Sequence, residues 1–216
     1  MKDFDLSLYL VTDRDLSKGR SLPFIVEEAI QGGVTMVQLR EKDCSSREFY
    51  ELAVELKRIL KPYNVPLIIN DRLDIALAAD ADGLHIGQSD LPWDIARRFL
   101  GPKKIIGLSV ENLEQAVEAN KMDIDYIGLS PMYSTATKTN TNIPLGLKGV
   151  KEITSISKHP SVAIGGMNTA TAYDTIINGA KGIAVVSAIV SATDPCTASR
   201  ELKETVLKAK QIQHEA

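Results

Sequence analysis

The 216-residue chain is 44% hydrophobic, enough to bury one sizeable core in a single domain over 1–216. Its 25 basic and 28 acidic residues leave a formal charge of −3, without the positive footprint of a nucleic-acid binder or a polybasic membrane patch, and neither partner is expected. Two cysteines, Cys44 and Cys196, stand far apart outside any Cys-x-x-Cys spacing, which argues against a disulfide framework or a structural zinc site and fits reduced thiols in the cytoplasm.

The opening stretch MKDFDLSLYLVTD breaks its apolar residues with charges and has no small-residue cleavage pattern, so it reads as folded chain and not as a targeting segment. Its LYLVT (8–12) is the first short, β-branched run, followed by the helical spacing of PFIVEEAIQGG (23–33), closed by Gly32. TMVQLRE (35–41) is the second strand, and SSREFYELAVELKRILKPY (45–63) the helix after it, with Ser45 placed to cap it. VPLIIN (65–70) and GLHIG (83–87) come next, each leading to a helix, the first beginning at Arg72 and the second near Pro92 and ending at Gly101. KIIGLSV (104–110) leads to NLEQAVEANK (112–121), capped by Asn112; YIGLS (126–130) follows. SVAIGG (161–166) leads to TATAYDTIINGA (169–180), capped by Thr169 and closed by Gly179, and GIAVVSA (182–188) is the eighth strand. Eight strand–helix units predict an α/β chain with a parallel sheet closed into a (β/α)8, or TIM, barrel. The alternative is an open doubly wound sheet, weakened because no Gly-x-Gly-x-x-Gly follows the first strand.

In such a barrel the chemistry belongs at the C-terminal ends of the strands. Asp71 follows the third strand and Asp90 the fourth, so the two carboxylates belong to neighbouring loops at one mouth and could share a cation. The plainer alternative is that each caps the helix after it. Alternation in the second strand puts Met36, Gln38 and Arg40 on the inner face and Val37 and Leu39 on the outer one. Arg40, Lys42 and Lys138 form a positive cluster beside the acidic pair, as a diphosphate with Mg²⁺ requires, because that hard cation keeps one or two carboxylates and completes its shell from phosphate and water. Gly165 and Gly166, with the backbone at Val186 and Ser187, mark a second anion site after strands seven and eight, or simply a tight turn. His85 is expected inside the barrel as a hydrogen-bonded core residue, Trp93 as packing, and His159 and His214 at the surface.

Several of these stretches, YLVTD (9–13), VQLREK (37–42), NDRLDIAL (70–77), ADGLHIGQSDLP (81–92), IIGLSV (105–110), DYIGLSPMYSTATKT (125–139), PLGLKGV (144–150), VAIGGM (162–167) and GIAVVSAI (182–189), resemble the thiamine phosphate synthase family in order and spacing. VAIGG alone is shared with other phosphate-binding barrels; VQLREK, ND, GQSD and T-x-TK together are specific. The resemblance implies an enzyme that joins hydroxymethylpyrimidine diphosphate to a carboxylated thiazole phosphate, releasing pyrophosphate and carbon dioxide and giving thiamine monophosphate. Matched motif by motif, it implies that Gln38, Leu39, Arg40, Glu41, Lys42, Asn70, Ser109 and Lys138 hold the pyrimidine diphosphate. It likewise assigns one Mg²⁺ to Asp71 and Asp90, and the thiazole phosphate to Thr135, Ala136, Thr137, Gly166, Val186 and Ser187. Arg40, Lys42, Ser109 and Lys138 would be the catalytic set, stabilising a departing pyrophosphate. Ser130, where the family often has glycine, and Asn140, commonly Asp, depart from the pattern and bear on the thiazole contacts.

Two competitors stay open: a thiazole tautomerase of the same barrel family, expected to lack the combined Lys42, Asp71, Asp90 and Lys138 set, and a non-catalytic sensor of thiazole or pyrimidine phosphates. Partners are then small phosphorylated molecules; the sequence leaves homo-oligomerisation open.

Overall fold

A computed structural model describes residues 4–133 and 143–215. Eight parallel strands, β1 (Leu8–Val11), β2 (Met36–Leu39), β3 (Leu67–Asn70), β4 (Gly83–Ile86), β5 (Ile105–Val110), β6 (Tyr126–Leu129), β7 (Ser161–Ile164) and β8 (Gly182–Val185), follow one another around a closed barrel. The ring closes where β1 pairs with β8, Tyr9 standing opposite Ala184. Eight successive apolar runs therefore make one barrel, and the open-sheet alternative falls.

Alternation along each strand divides the interior in two. Outward residues such as Leu8, Val37, Leu39, Ile69, Leu84, Ile106 and Ile127 pack beneath the helices. Inward residues Tyr9, Val11, Met36, Ile68, Ile105, Tyr126, Val162 and Ala184 form a separate axial core. Full burial of four-residue strands on both faces explains their nearly continuous apolar sequences. The strands are shorter than the apolar runs because residues such as Arg40, Gly87 and Ser130 already belong to the loops at the mouth.

The surrounding helices are α1 (Leu22–Gln31), α2 (Ser46–Leu60), α3 (Leu73–Ala78), α4 (Trp93–Leu100), α5 (Leu113–Ala119), α6 (Gly146–Ile156), α7 (Thr169–Ile177), α8 (Ser187–Val190) and α9 (Pro195–Glu215). Ser45 caps α2 in a reciprocal box with Glu48, whose backbone N–H the serine hydroxyl accepts while the glutamate accepts from the Ser45 N–H. Asn112 accepts from the Gln115 N–H at the start of α5. The cap of α7 is Asn168, not Thr169: the asparagine oxygen accepts from Ala170 and Thr171, one residue earlier than expected. Gly32 and Gly101 end α1 and α4, whereas α7 ends on Asn178 with Gly179 just beyond it. Ser187 opens α8 and does not continue β8, and α9 packs on α1 and α7. His159 is half-buried, its Nε2 bonded to the Ala119 carbonyl, which corrects its expected surface position. Among the described residues, no helix is long and apolar enough to cross a membrane.

Candidate active site

The loops at the C-terminal ends of the strands surround a pocket of about 630 Å³. Gln38, Arg40 and Lys42 line one wall, as alternation in β2 requires, together with Asn70 and Asp71 after β3, Gln88 and Asp90 after β4, and Ser109 on β5. Gly165, Gly166, Val186 and Ser187 line the opposite side. Leu39 and Glu41 face away. Leu39 is buried among the outer residues beneath the helices, and Glu41 pairs with Arg14 at 3.0 Å. Their place in the VQLREK run is thus one of sequence adjacency, not of side chains shared with the pocket. Thr135, Ala136, Thr137, Lys138 and Asn140 lie outside the described residues.

Neither aspartate caps a helix. The residue preceding α3 is Arg72 and that preceding α4 is Pro92, and no side chain accepts a capping hydrogen bond at either. Asp90 instead turns back to accept the Gly87 N–H at 2.6 Å. Asp71 sits in the left-handed region at φ 60°, a conformation that aspartate tolerates better than most residues. Its N–H bonds to the His85 carbonyl at 2.9 Å, which ties the turn after β3 to β4. The Asp71 carboxyl group meets Asp90 and Asn70.

Burial, reinforced by the Asp90 carboxylate, pushes Asp71 up to about 6, against the opposing pull of Lys42 and Asn70. Two acids held together where one resists ionisation form a site that a divalent cation would relieve. Among the described residues no group of three or more His, Cys, Asp or Glu side chains joins here to hold a metal. A cation would therefore draw the rest of its shell from water and ligand oxygens, as Mg²⁺ does at phosphate sites.

The cationic wall is braced from below. The Arg40 N–H donates to the Thr12 hydroxyl at 3.0 Å, and its guanidinium meets Asp13 at 3.4 Å. Gln88 donates to the Ser109 carbonyl at 2.6 Å, linking the loop after β4 to β5. Across the pocket, Gly165 and Gly166 both have positive φ, 101° and 68°. A Cβ on Gly165 would lie 3.2 Å from Pro131 and the Met132 nitrogen, so glycine here permits both the turn and its close approach to the loop after β6.

A family model described as Thiamine monophosphate synthase matches residues 8–189. The chain belongs to the thiamine monophosphate synthase family. The thiamine-phosphate synthase of Clostridium novyi (strain NT) is 50% identical over 200 residues, covering 93% of this chain and 98% of the relative. That of Syntrophomonas wolfei is 52% identical over 204 residues, with 94% and 98% covered. Among solved structures, thiamine phosphate pyrophosphorylase from Pyrococcus furiosus superimposes with a TM-score of 0.87 at 38% identity, over 94% of this chain and 96% of that one. As a member of the thiamine monophosphate synthase family, the chain is a transferase.

His85, Tyr9 and Tyr126 are polar residues of the interior whose joint arrangement the sequence did not reveal. Tyr9 and His85 line the floor of the pocket, and Tyr126 lies buried behind them. Inward alternation placed His85; nothing local signals that Tyr9 and Tyr126, 117 residues apart, touch.

Proposed function

We propose that this transferase joins hydroxymethylpyrimidine diphosphate to a carboxylated thiazole phosphate, forming thiamine monophosphate, pyrophosphate and carbon dioxide. The observation that carries the reading is the Asp71–Asp90 pair, which caps no helix and shares one pocket wall with Arg40 and Lys42. A diphosphate is the ligand that needs both halves of that wall.

In this reading Arg40 and Lys42 contact the diphosphate oxygens, joined by Lys138, while Gln38, Asn70 and Ser109 orient the pyrimidine. The thiazole phosphate takes the side formed by Gly166, Val186 and Ser187, with Thr135, Ala136 and Thr137. One Mg²⁺ held by Asp71 and Asp90 would supply charge neutralisation to the leaving oxygens. The bond from the pyrimidine methylene to the diphosphate oxygen breaks first. The oxygen keeps the electron pair, the ring stabilises the methylene cation, and the thiazole nitrogen captures it; the carboxylate then leaves the thiazolium ring as carbon dioxide, and the electron pair left on the ring carbon takes up a proton. Preorganised cations placed where that negative charge develops lower the barrier without a covalent nucleophile.

The test is turnover with both substrates, with and without Mg²⁺. Metal-dependent formation of thiamine monophosphate and pyrophosphate is expected. Proton exchange on the thiazole alone would favour the tautomerase, and binding without turnover a sensor.

A further inference from the structure

Five side chains from five strands form one hydrogen-bonded line across the barrel. Gln38 Nε2 donates to the Tyr9 hydroxyl at 2.9 Å, and Tyr9 and Tyr126 share a bond of 2.8 Å. The Tyr126 hydroxyl meets His85 Nδ1 at 2.9 Å, and His85 Nε2 meets the Ser109 hydroxyl at 2.9 Å. Two strand glycines make room for the line. A Cβ on Gly107 would lie within 2.5 Å of the Tyr126 hydroxyl and two of its ring carbons, and one on Gly128 would lie 3.2 Å from the His85 ring.

One order of protons spends both phenol protons within the line. An amide nitrogen only donates, so Tyr9 accepts from Gln38, and within the line its own proton has Tyr126 as its acceptor. Tyr126, having accepted, spends its own on His85 Nδ1. Both phenols are held neutral, Tyr9 and Tyr126 each raised chiefly by burial, so each has one proton to give. A neutral imidazole that accepts at Nδ1 carries its proton on Nε2 and donates to Ser109. A doubly protonated ring would set two donors against Tyr126, with no acceptor for the phenol proton along this line.

We propose that this line makes Ser109 a hydrogen-bond donor toward the pocket, with His85 as the positioning residue, so that the serine proton is free for a lone pair of the ligand. The name of that ligand, a pyrimidine diphosphate offering a ring nitrogen or an oxygen, rests on the function proposed above. The direction rests on both phenol protons finding acceptors within the line.

Nitrogen-15 NMR of the histidine-labelled, ligand-free protein at neutral pH tests the direction, the His85 signals being assigned by their loss in His85→Gln. The expected spectrum has a protonated Nε2 and an unprotonated Nδ1; the reverse pattern, or two protonated nitrogens, would overturn the proposal. Kinetics supply the second arm. Tyr126→Phe keeps the ring and lies outside the pocket, yet should lower kcat/KM for the pyrimidine diphosphate about five- to tenfold, the value of one directed hydrogen bond. In a Ser109→Ala background the same change should have no further effect; an equal drop in both backgrounds would mean a merely structural role. Failure of the wild-type protein to turn over would strike the synthase reading and leave the NMR result to decide the line's direction.

Discussion

The carboxyl group of Asp71 meets that of Asp90, and Lys42 is the cation that acts against the repulsion between them. A raised Asp71 means that the folded protein binds a proton more readily than the unfolded chain. The cost to stability is absent below the ordinary value of 3.8 and complete above about 6. Asp71→Asn should therefore raise the metal-free melting temperature at pH 8 while keeping a residue that accepts positive φ. Mg²⁺ should raise the wild-type Tm, and Asp71→Asn should lose that gain along with most turnover. Asp71→Ala with Asp90→Ala should cost little more activity than the worse single change, since residues serving one ion act as a unit. Retained Mg²⁺-dependent turnover in the double variant would sink the metal assignment.

Gly166 has φ 68°, and a β-branched side chain there is strained as well as bulky. Gly166→Val should weaken the thiazole phosphate at least tenfold, about 1.4 kcal/mol, while leaving the pyrimidine diphosphate within twofold. Calorimetry with each substrate alone reads the split, and equal losses in a folded variant would reject two separate subsites.

Asp80 joins two lysines from different elements, Lys57 of α2 at 2.6 Å and Lys104 before β5 at 2.5 Å. The hydrogen bonds from Lys104 and then Lys57 lower Asp80 to about 2. A depressed acid contributes stability that is present above the unfolded value of 3.8 and lost as pH falls toward 2. Denaturation curves of wild type and Asp80→Asn should differ at pH 6 and converge near pH 2; a constant gap would assign the effect to something other than the charge.

Arg97 is largely buried on α4 and donates to the carbonyls of Gly101, Lys104 and Asp123 and to the Asp125 carboxylate at 2.8 Å. The same Asp125 oxygen accepts the Ile106 N–H at the start of β5. Replacing Arg97 by Met keeps the stem but strands those acceptors, and should cost roughly 3 kcal/mol in urea unfolding. Because this cluster sits at the end of the barrel remote from the pocket, kcat should stay within a factor of about two.

The barrel was legible because a four-residue strand buried on both faces leaves an unbroken apolar run, and eight such runs alternate with amphipathic segments. Gln38 and Arg40 were legible for a related reason: in β2 the inner face breaks its apolar pattern only where it reaches the pocket. Asp71 and Asp90 could be located, but sharing a site and capping two helices leave the same trace in sequence. The turn from Gly87 to Asp90 and the bare starts of α3 and α4 decide between them. Asn168 and Thr169 are both good caps, so composition did not choose. Leu39 and Glu41 entered the site as members of a motif, and their outward directions follow from the pleat. The Tyr9–Tyr126 bond is a product of barrel closure, and no local pattern encodes it.

That bond also closes the barrel's far side. The rings of Tyr9 and Tyr126 stand 5.9 Å apart edge to face, with Phe4 6.1 Å from Tyr126 and Ile68, Ile105 and Val162 packed in the same inner core. Among the described residues this packing fills the barrel axis below the pocket, which is thus a cup with one rim. In the proposed reaction, a methylene cation formed at its base would meet only water entering by the route the second substrate takes. A thiazole already seated at the rim would be nucleophile and stopper at once, so hydrolysis of the pyrimidine diphosphate should fall as thiazole occupancy rises.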